Sequence, residues 1–579
     1  MRRERGVGAG LKPARTGCKA NSPSVQEILQ IPPLTKGGTG GFGMGGFLEK
    51  EWLASGMLLA WTIFVYYSYL GTPLRGDEGM YAAIARRMVR TGDWLQLVYE
   101  GRPYFNKPPL HFWLMALSLV AWGPTEFAVR FPSATFGAGT VFLVYVSGKL
   151  LFDRRLGMIA AFITTSTLSA VWHAHQARFD VELAFWMNLA FFTFYLAYRG
   201  GGRRLGYLCV AALSMAVATM LKGPVGVLLP GVIACAFVVI TRRSKVLAEI
   251  PYLLIGLAIF LLVTVPYYLS LGETFNRHFF LEENLTRVFH APNAPFLYLG
   301  MIVTGFFPWS LFLPCAGLYL WKSRSRPLDE SDLLLRVWSI GFFVLLSLPA
   351  GKAERFLVYL IPPFALLTAR YWDDLLRYTR ALSVTEARLL RIAACLLGLV
   401  GVVGAFVGPQ LIRLRFVIPD DVWPIPLMLL LGIGCMAVLY AACRCQPSTI
   451  FSSVMTVAIV MTIGLVQYFY PVLARYESAK AIARQVHAVV GDSPLVIYHP
   501  GRSLGEDILY YLDRPSPVPE LQTPDEIYAA FEAARPIFGL LSKSGFEELE
   551  RRGHLPVMVL ADHSYRQRDF VLVTNRAQL

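Results

Sequence analysis

Residues 75–94, RGDEGMYAAIARRMVRTGDW, set three carboxylates and four arginines directly after an apolar run. A carboxylate in such a place can steady a cationic carbon or take a proton from a hydroxyl. Cations there can stabilise a phosphate whose negative charge grows as a bond to it breaks. Four further stretches carry residue types that fit the same chemistry. GRPYFNKPPLHFW (101–113) holds Lys107 ahead of two prolines, which fix the backbone and suit a phosphate point charge. HAHQARFDVELAFW (173–186) puts Arg178 and Asp180 between two apolar runs, where charge is costly and functional by default. FNRHFFLEENLTRVFH (275–290) offers His278, Glu282 and Arg287 to a phosphate or a sugar, and AGKAERFLVYLIPP (350–363) offers Lys352, Glu354 and Arg355 in a tight turn.

Each stretch also has a plainer reading. Asp77 and Glu78 suit the first turn of a helix, Lys107 can snorkel, and Arg178 with Asp180 can close a turn. The stretches 275–290 and 350–363 can be a charged face among headgroups and a solvated turn. His173 and His175 stand two residues apart, so a helix points them to different sides, which disfavours a shared metal.

The elements that would position these residues are membrane spans. Of the 579 residues, 55% are hydrophobic and 16% charged, the profile of a polytopic membrane protein. Apolar runs fall near 52–71, 108–122, 131–151, 156–176, 181–199, 206–221, 223–241, 252–271, 297–321, 332–350, 355–371, 389–409, 423–443 and 450–471. The basic clusters at 153–155, 199–204, 242–245, 322–326, 377–391 and 443–445 share one face only if 108–122, short and led by prolines, does not cross. That leaves thirteen spans, with the clusters cytoplasmic. Asp77, Glu78, Lys107, Arg178, Asp180, Lys222, His278, Glu283, Arg287, Lys352 and Arg355 then lie on or border the outer side, where basic residues need an anionic partner. The formal charge of +15 points to anionic lipid at the cytoplasmic face rather than to nucleic acid.

We therefore expect a polytopic α-helical membrane protein with three regions. Residues 1–50 form a disordered basic and glycine-rich tail. Residues 51–471 form the membrane domain, with juxtamembrane helices near 77–91, 108–122 and 273–290. Residues 472–579 form an extracytoplasmic α/β domain, with strands in PLVIYH, PIFGLL, LPVMVLA and FVLVTN. Eight cysteines show neither zinc spacing nor a disulfide framework, and no P-loop, dinucleotide glycine fingerprint or hydrolase elbow is present.

In combination, GDEGMYAAIARRMVRTGDW, PYFNKPPLHFWLMA, WGPTEFAVRFPS, ARFDVELAFW, LKGPVG, Arg287 and KAERFLVYLIPP resemble the GT-C polyprenyl-phosphate-sugar glycosyltransferases. The nearest branch is that of the bacterial lipid A aminoarabinosyltransferases and their protein O-mannosyltransferase cousins. The likeness covers roughly residues 55–370, and its first block joined to KPPL is the specific part. It implies a GT-C fold in the bacterial inner membrane with a periplasmic site. The donor would be a polyprenyl (undecaprenyl) phosphate sugar, and the acceptor lipid A or another envelope molecule; the chain would work as a monomer without nucleic acid. By this resemblance Asp77 is similar to the family's first-loop catalytic aspartate, Lys107 to its phosphate-contacting lysine and Asp180 to its second acidic residue. Glu78 joins the catalytic set. Arg287, Arg355 and Lys352 join Lys107 as donor-phosphate ligands, and Tyr81, Tyr104, Arg178, His278 and Tyr359 are substrate contacts. No cofactor is assigned, no metal ligand is assigned, and a divalent metal is left open. Asn106 stands where close aminoarabinosyltransferases can carry glutamate, which weakens a metal or amino-sugar inference. Phe356 stands where an Arg-Tyr pair is common.

Two other classes compete. A transporter for an anionic lipid would show pseudo-repeated halves or helices broken at the midplane, and the sequence shows neither. A scaffold acting through its outer domain leaves Asp77 and Glu78 unexplained. Within the enzyme class, the second reading is a protein O-glycosyltransferase.

Overall fold

The computed structural model describes residues 51–242, 250–280, 282, 297–323, 329–348, 353–377, 382–415, 425–444, 446–476, 479–498, 506–514, 517–532, 535–553, 555–565 and 568–575. The tail 1–50 lies outside the described residues, as do Arg287 and Lys352 among the expected site residues.

The first part of the chain runs α1 (Glu51–Tyr67), α2 (Asp77–Thr91), a two-stranded hairpin of β1 (Val98–Tyr99) and β2 (Arg102–Pro103), α3 (Leu110–Trp122) and α4 (Glu126–Leu151). Then follow α5 (Arg154–Thr165), α6 (Leu168–Ala174), α7 (Phe179–Arg199), α8 (Arg204–Lys222) and α9 (Val225–Thr241). Among the described residues six helices are long and apolar enough to cross a membrane, and up to nine spans result if three sharply bent pairs each count once. The protein is an integral membrane protein. Val239, Leu262, Phe406 and Ile433 are exposed on its flanks, where water would penalise them and hydrocarbon does not.

The apolar run 156–176 is not one straight helix: it bends by 62° between α5 and α6. The run 355–371 begins with a 3-10 turn over Glu354–Tyr359, and its helix starts only at Ile361, ahead of two prolines preset for a first turn. α3 has 13 residues, about 20 Å at 1.5 Å per residue, short of the hydrocarbon thickness of about 30 Å.

A buried ion pair fixes the first loop. Arg130, inside α4, gives Nε to Glu78 Oε1 and Nη2 to Glu78 Oε2, both at 2.8 Å. Its remaining donors reach the carbonyls of Leu70, Thr72 and Pro73. Glu78 also accepts the amides of Arg75 at 2.9 Å and Ala177 at 2.7 Å. Both side chains are about 2% exposed. Gly76, with φ 54° and ψ −130°, makes the turn into α2 that a residue with a Cβ would resist.

The C-terminal segment builds a five-stranded sheet in the order β4-β3-β5-β7-β6, from β3 (Leu495–Tyr498), β4 (Glu520–Leu521), β5 (Phe538–Ser542), β6 (Met558–Tyr565) and β7 (Arg568–Thr574). Strands β3, β4 and β5 are parallel, and β7 runs antiparallel to β5 and β6. Side chains alternate between faces. Leu495, Ile497, Leu540 and Leu572 form one core with the helix Ala479–Val490, while Val496, Tyr498, Leu541 and Val571 form another with the helix Pro524–Glu532. This layer is tied to the membrane part: Tyr511 donates to Glu126 Oε1 at 3.2 Å and accepts the Leu74 amide at 2.7 Å, and Lys480 pairs with Glu126 at 2.6 Å.

Burial alone pushes the Glu78 carboxyl up. The Arg130 charge and hydrogen bonds, with the two backbone amides, outweigh it and leave the pKa below the ordinary 4.5. The pair's contribution is therefore in place above that value and is lost as pH falls through the lowered folded pKa. Glu78→Ala strands a buried guanidinium and is expected to cost about 3–5 kcal/mol, with a smaller loss for Glu78→Gln, which keeps an acceptor. Denaturation of the purified variants in detergent at neutral pH measures both; equal stability of Glu78→Ala and wild type refutes the role of the pair.

Candidate active site

Asp180 occupies the first turn of α7 and is 1% exposed. Three groups converge on it. Lys222 Nζ lies 2.6 Å from Oδ1, the Tyr359 hydroxyl donates to the same oxygen, and Arg355 Nε lies 3.3 Å from Oδ2. Lys222 Nζ also lies 3.0 Å from the Tyr359 hydroxyl and 3.9 Å above the Phe356 ring.

Local sequence explains each placement. Lys222 is the last residue of α8; Gly223, at φ 86°, ends that helix. Gly226 lets α9 fold back: a Cβ there would stand 2.3 Å from the Ala218 carbonyl carbon. The motif KGPVG thus presents a lysine at a helix end with little freedom to move. The turn carrying Arg355 and Tyr359 is pinned to α7 by Asn188, which donates to the Tyr359 carbonyl at 3.2 Å and accepts from Trp338 Nε1 at 3.0 Å.

Asp77 opens α2 and is about half exposed, with Arg178 Nη1 3.9 Å from its carboxylate. Arg178 also gives Nε to Gln176 Oε1 at 2.6 Å, and its amide donates to Ser133 Oγ at 3.1 Å. The buried Tyr81 hydroxyl is held well above the ordinary tyrosine range, by burial first and then by Tyr104 and the nearby carboxylates Asp77 and Asp180 against Arg178. Lys107 Nζ donates to the Asn106 carbonyl at 2.7 Å and lies 6.0 Å from the Phe179 ring, to which Lys222 comes within 5.3 Å. The Tyr104 ring packs on Phe112. His278 pairs with Glu282 at 2.6 Å and faces Asn106 Oδ1 at 3.3 Å, joining the helix Gly272–Arg277 to the lysine loop.

The expected residues Asp77, Tyr81, Tyr104, Lys107, Arg178, Asp180, His278, Arg355 and Tyr359 therefore border one region. Glu78 does not share their situation. Its two oxygens take four hydrogen bonds, one from the Arg75 amide, one from the Ala177 amide and two from Arg130 in α4, which fill its acceptor capacity. Glu78, expected with the catalytic group, is thus placed apart from it by this geometry.

Sequence reasoning noted Lys222 on the outer side but gave it no role; its signal was a lysine ending an apolar run against the positive-inside rule. It missed the buried pair of His111 Nδ1 with Glu182, 2.9 Å from Oε2, which ties α3 to α7. His175, in the HAH motif, faces the carbonyls of Val171 and Ser68 at 2.8 and 3.2 Å. Among the described residues no group of three or more His, Cys, Asp or Glu is placed to hold a metal ion.

Residues 106–269 match the family described as dolichyl-phosphate-mannose-protein mannosyltransferase. The chain is 30% identical over 335 residues to the undecaprenyl phosphate-alpha-4-amino-4-deoxy-L-arabinose arabinosyl transferase of Aeromonas hydrophila, covering 56% of this chain and 60% of that one. A transferase of the same name from Pseudomonas fluorescens is 28% identical, covering 62% of this chain and 66% of that one. In sequence the chain thus matches just under two thirds of the length of these relatives. The crystal structure of ArnT from Cupriavidus metallidurans bound to undecaprenyl phosphate superposes with a TM-score of 0.71 at 20% identity, covering 92% of this chain and 99% of that one. The apo form of that protein gives 0.72 at 21% identity. The chain has the ArnT fold and is ArnT-like in sequence.

If Lys222 and Arg355 share the neutralisation of Asp180, their removal is not additive with its own. Lys222→Met is expected to cost about 3 kcal/mol, and much less in an Asp180→Asn background. A double-mutant cycle read by denaturation in detergent tests this; additivity within about 0.5 kcal/mol refutes the coupling.

Proposed function

We propose that this ArnT-like chain is an integral-membrane glycosyltransferase of the bacterial inner membrane. It moves a sugar from a polyprenyl (undecaprenyl) phosphate to an extracytoplasmic acceptor, lipid A or another envelope glycolipid, with 4-amino-4-deoxy-L-arabinose as the sugar class the relatives' names suggest. The observation that carries the reading is the contrast between the two aspartates. Asp180 is buried beneath Lys222, Tyr359 and Arg355, whereas Asp77 is open to a ligand beside Arg178.

In this reading the bond between the anomeric carbon and the donor phosphate oxygen breaks, and its electron pair leaves on the phosphate. Lys107, with Arg355 and the undescribed Arg287 and Lys352, meets the charge that develops there. The acceptor oxygen bonds to the anomeric carbon. Asp77 steadies the oxocarbenium-like centre and takes the proton if the acceptor is a hydroxyl; a phosphate acceptor is already anionic and needs no base. Asp180 holds Lys222 and Arg355 in place, while Tyr81, Tyr104, Arg178, His278 and Tyr359 contact substrate. An apolar hollow of about 390 Å³, lined by Leu95, Leu110, Trp113, Met220 and Tyr267, opens three residues beyond Lys107. It suits the first units of a prenyl chain. The chain works as a monomer.

A thirteen-span topology supports an outer site. To the nine spans above it adds α1, α9 and the helices Glu330–Ser347 and Ile361–Leu376, and it leaves α3 at the interface. The C-terminal α/β domain is then periplasmic. A second reading, transfer to protein, is favoured by the mannosyltransferase family match alone.

Three measurements test these statements. Purified protein given undecaprenyl-phosphate sugar and lipid A should glycosylate the lipid, and Asp77→Asn should lower turnover by orders of magnitude while folding normally; retention of half the wild-type rate overturns the role of Asp77. Lys107→Ala should lose about tenfold to a hundredfold in kcat/KM, since charge-assisted hydrogen bonds contribute about 1.5–3 kcal/mol. Lys107→Arg should recover only part, and a wild-type rate at saturating donor removes this lysine from the mechanism. Finally, in a background free of reactive native cysteines, Glu547→Cys should be labelled from outside intact cells and Arg203→Cys protected. The reverse pattern inverts the topology.

A further inference from the structure

The arginine face of α2 does not lie open to headgroups. The helix Glu506–Leu512 packs beside α2, and between the two a cavity of about 790 Å³ opens, within the range of roughly 300–1,000 Å³ for small-molecule sites. Arg86, Arg87 and Arg90 line it from α2, and Arg514 lines it from the C-terminal segment. Four cations meet three carboxylates: Asp513, Glu100 and, acting on Arg514, Asp492. Asp513 takes Arg86 at 3.1 Å and Arg90 at 2.8 Å, and Glu100, also in the lining, accepts the Val518 amide at 2.8 Å. Arg86 is further held by the Tyr510 carbonyl at 3.0 Å and by the Tyr510 ring, 4.3 Å from its guanidinium carbon.

Asp513 therefore answers two of the four arginines. Arg514 gives Nη2 to the Ser493 carbonyl and has the Asp492 carboxylate nearby. Arg87 Nη1 is shielded from solvent and has no hydrogen-bond partner among the described residues. Desolvating a guanidinium without a counter-charge is costly, and the excess lies on the side of the membrane where arginine is disfavoured in the absence of an anion. Several guanidinium forks around one hollow match phosphate oxygens in number and planarity. The remaining lining is mixed. Thr91 and Gln96 supply neutral polar groups, and Val98, Pro103 and Leu509 supply apolar wall, a combination that suits a sugar ring.

We propose that this cavity binds the phosphate-bearing sugar headgroup of the acceptor glycolipid, an assignment that rests on the transfer reading above and names how its acceptor is held. α2 carries Asp77 at its start and Arg87 ten residues later, about 15 Å along the axis. A headgroup with a second phosphate can therefore be anchored at the arginines while another part of it reaches the first-loop aspartate.

The test is binding to the full-length protein in detergent, with lipid A, its dephosphorylated form and phosphatidylglycerol in mixed micelles, and inorganic phosphate as separate probes. The Arg87→Ala/Arg514→Ala variant is expected to bind lipid A about tenfold more weakly or worse, with an unchanged melting temperature. Arg87→Lys is expected to recover part of the loss. Dephosphorylated lipid A should bind wild type weakly and be indifferent to the substitutions, and affinity for the undecaprenyl-phosphate donor should not move. Unchanged lipid A affinity in the double variant overturns the proposal, as does an equal loss for the dephosphorylated form. Equal binding of phosphatidylglycerol or free phosphate overturns the glycolipid assignment. Sugar transfer is scored in parallel: lipid A that binds through these arginines but never receives sugar removes the transfer reading and leaves the site, whereas transfer with unchanged affinity removes the site alone.

Discussion

The buried pair of Glu78 and Arg130 is the constraint on which the candidate site depends. One carboxylate receives a guanidinium from α4, an amide from its own loop and an amide from the segment leading into α7. It therefore connects the stretch that presents Asp77 to the stretch that presents Arg178 and Asp180. Ion pairs desolvated to this degree contribute little net stability against an apolar replacement. Their value is geometric, because every donor and acceptor must be satisfied at once, which leaves a single arrangement of the loop. The guanidinium reaches three carbonyls of residues 70–73 for the same reason, and the chain leaving α1 has one path.

The two aspartates sit at opposite electrostatic extremes. Asp180 is enclosed by Lys222, Arg355 and the Tyr359 hydroxyl, so its charge is spent on holding cations. Asp77 keeps one distant partner in Arg178 and half its surface. Two carboxylates of the same kind are thereby separated into an enclosed, ion-paired group and an accessible one. The aromatic rings of Phe179 and Phe356 add to the division, since Lys222 lies over both and stays close to Asp180.

Much of the outer site could be read from charge and position. Asp77, Lys107, Arg178, Asp180 and Arg355 stand out because ionisable residues at the ends of apolar runs are costly, and the prolines after Lys107 and the glycine before Asp77 mark fixed backbone. The role of Glu78 was hidden because its partner lies 52 residues away inside an apolar stretch, and one sequence does not report which distant charge a carboxylate meets. Lys222 was visible as an anomaly, yet its neighbour Asp180 is 42 residues distant. The bends at Ser166 and between Gly305 and Trp309 were not legible, since apolar composition continues through both. Four of the five strands of the C-terminal sheet follow from short apolar runs, but β4, the strand order, and the docking of Tyr511 and Lys480 on Glu126 come from long-range packing that local pattern does not encode.

One helix, α2, carries Asp77 at its first position and the three arginines on its later turns. A rigid α-helix is a measuring rod as well as a support. Each residue advances about 1.5 Å and rotates about 100°, so inserting or deleting a single residue between Asp77 and Arg86 would swing all three guanidinium groups a quarter turn or more away from the C-terminal segment. Side-chain replacement on the rod changes one contact; a change in its length puts the whole basic face out of phase. Sequence drift in this segment is therefore confined to substitution, and its length is expected to stay fixed even where its composition changes.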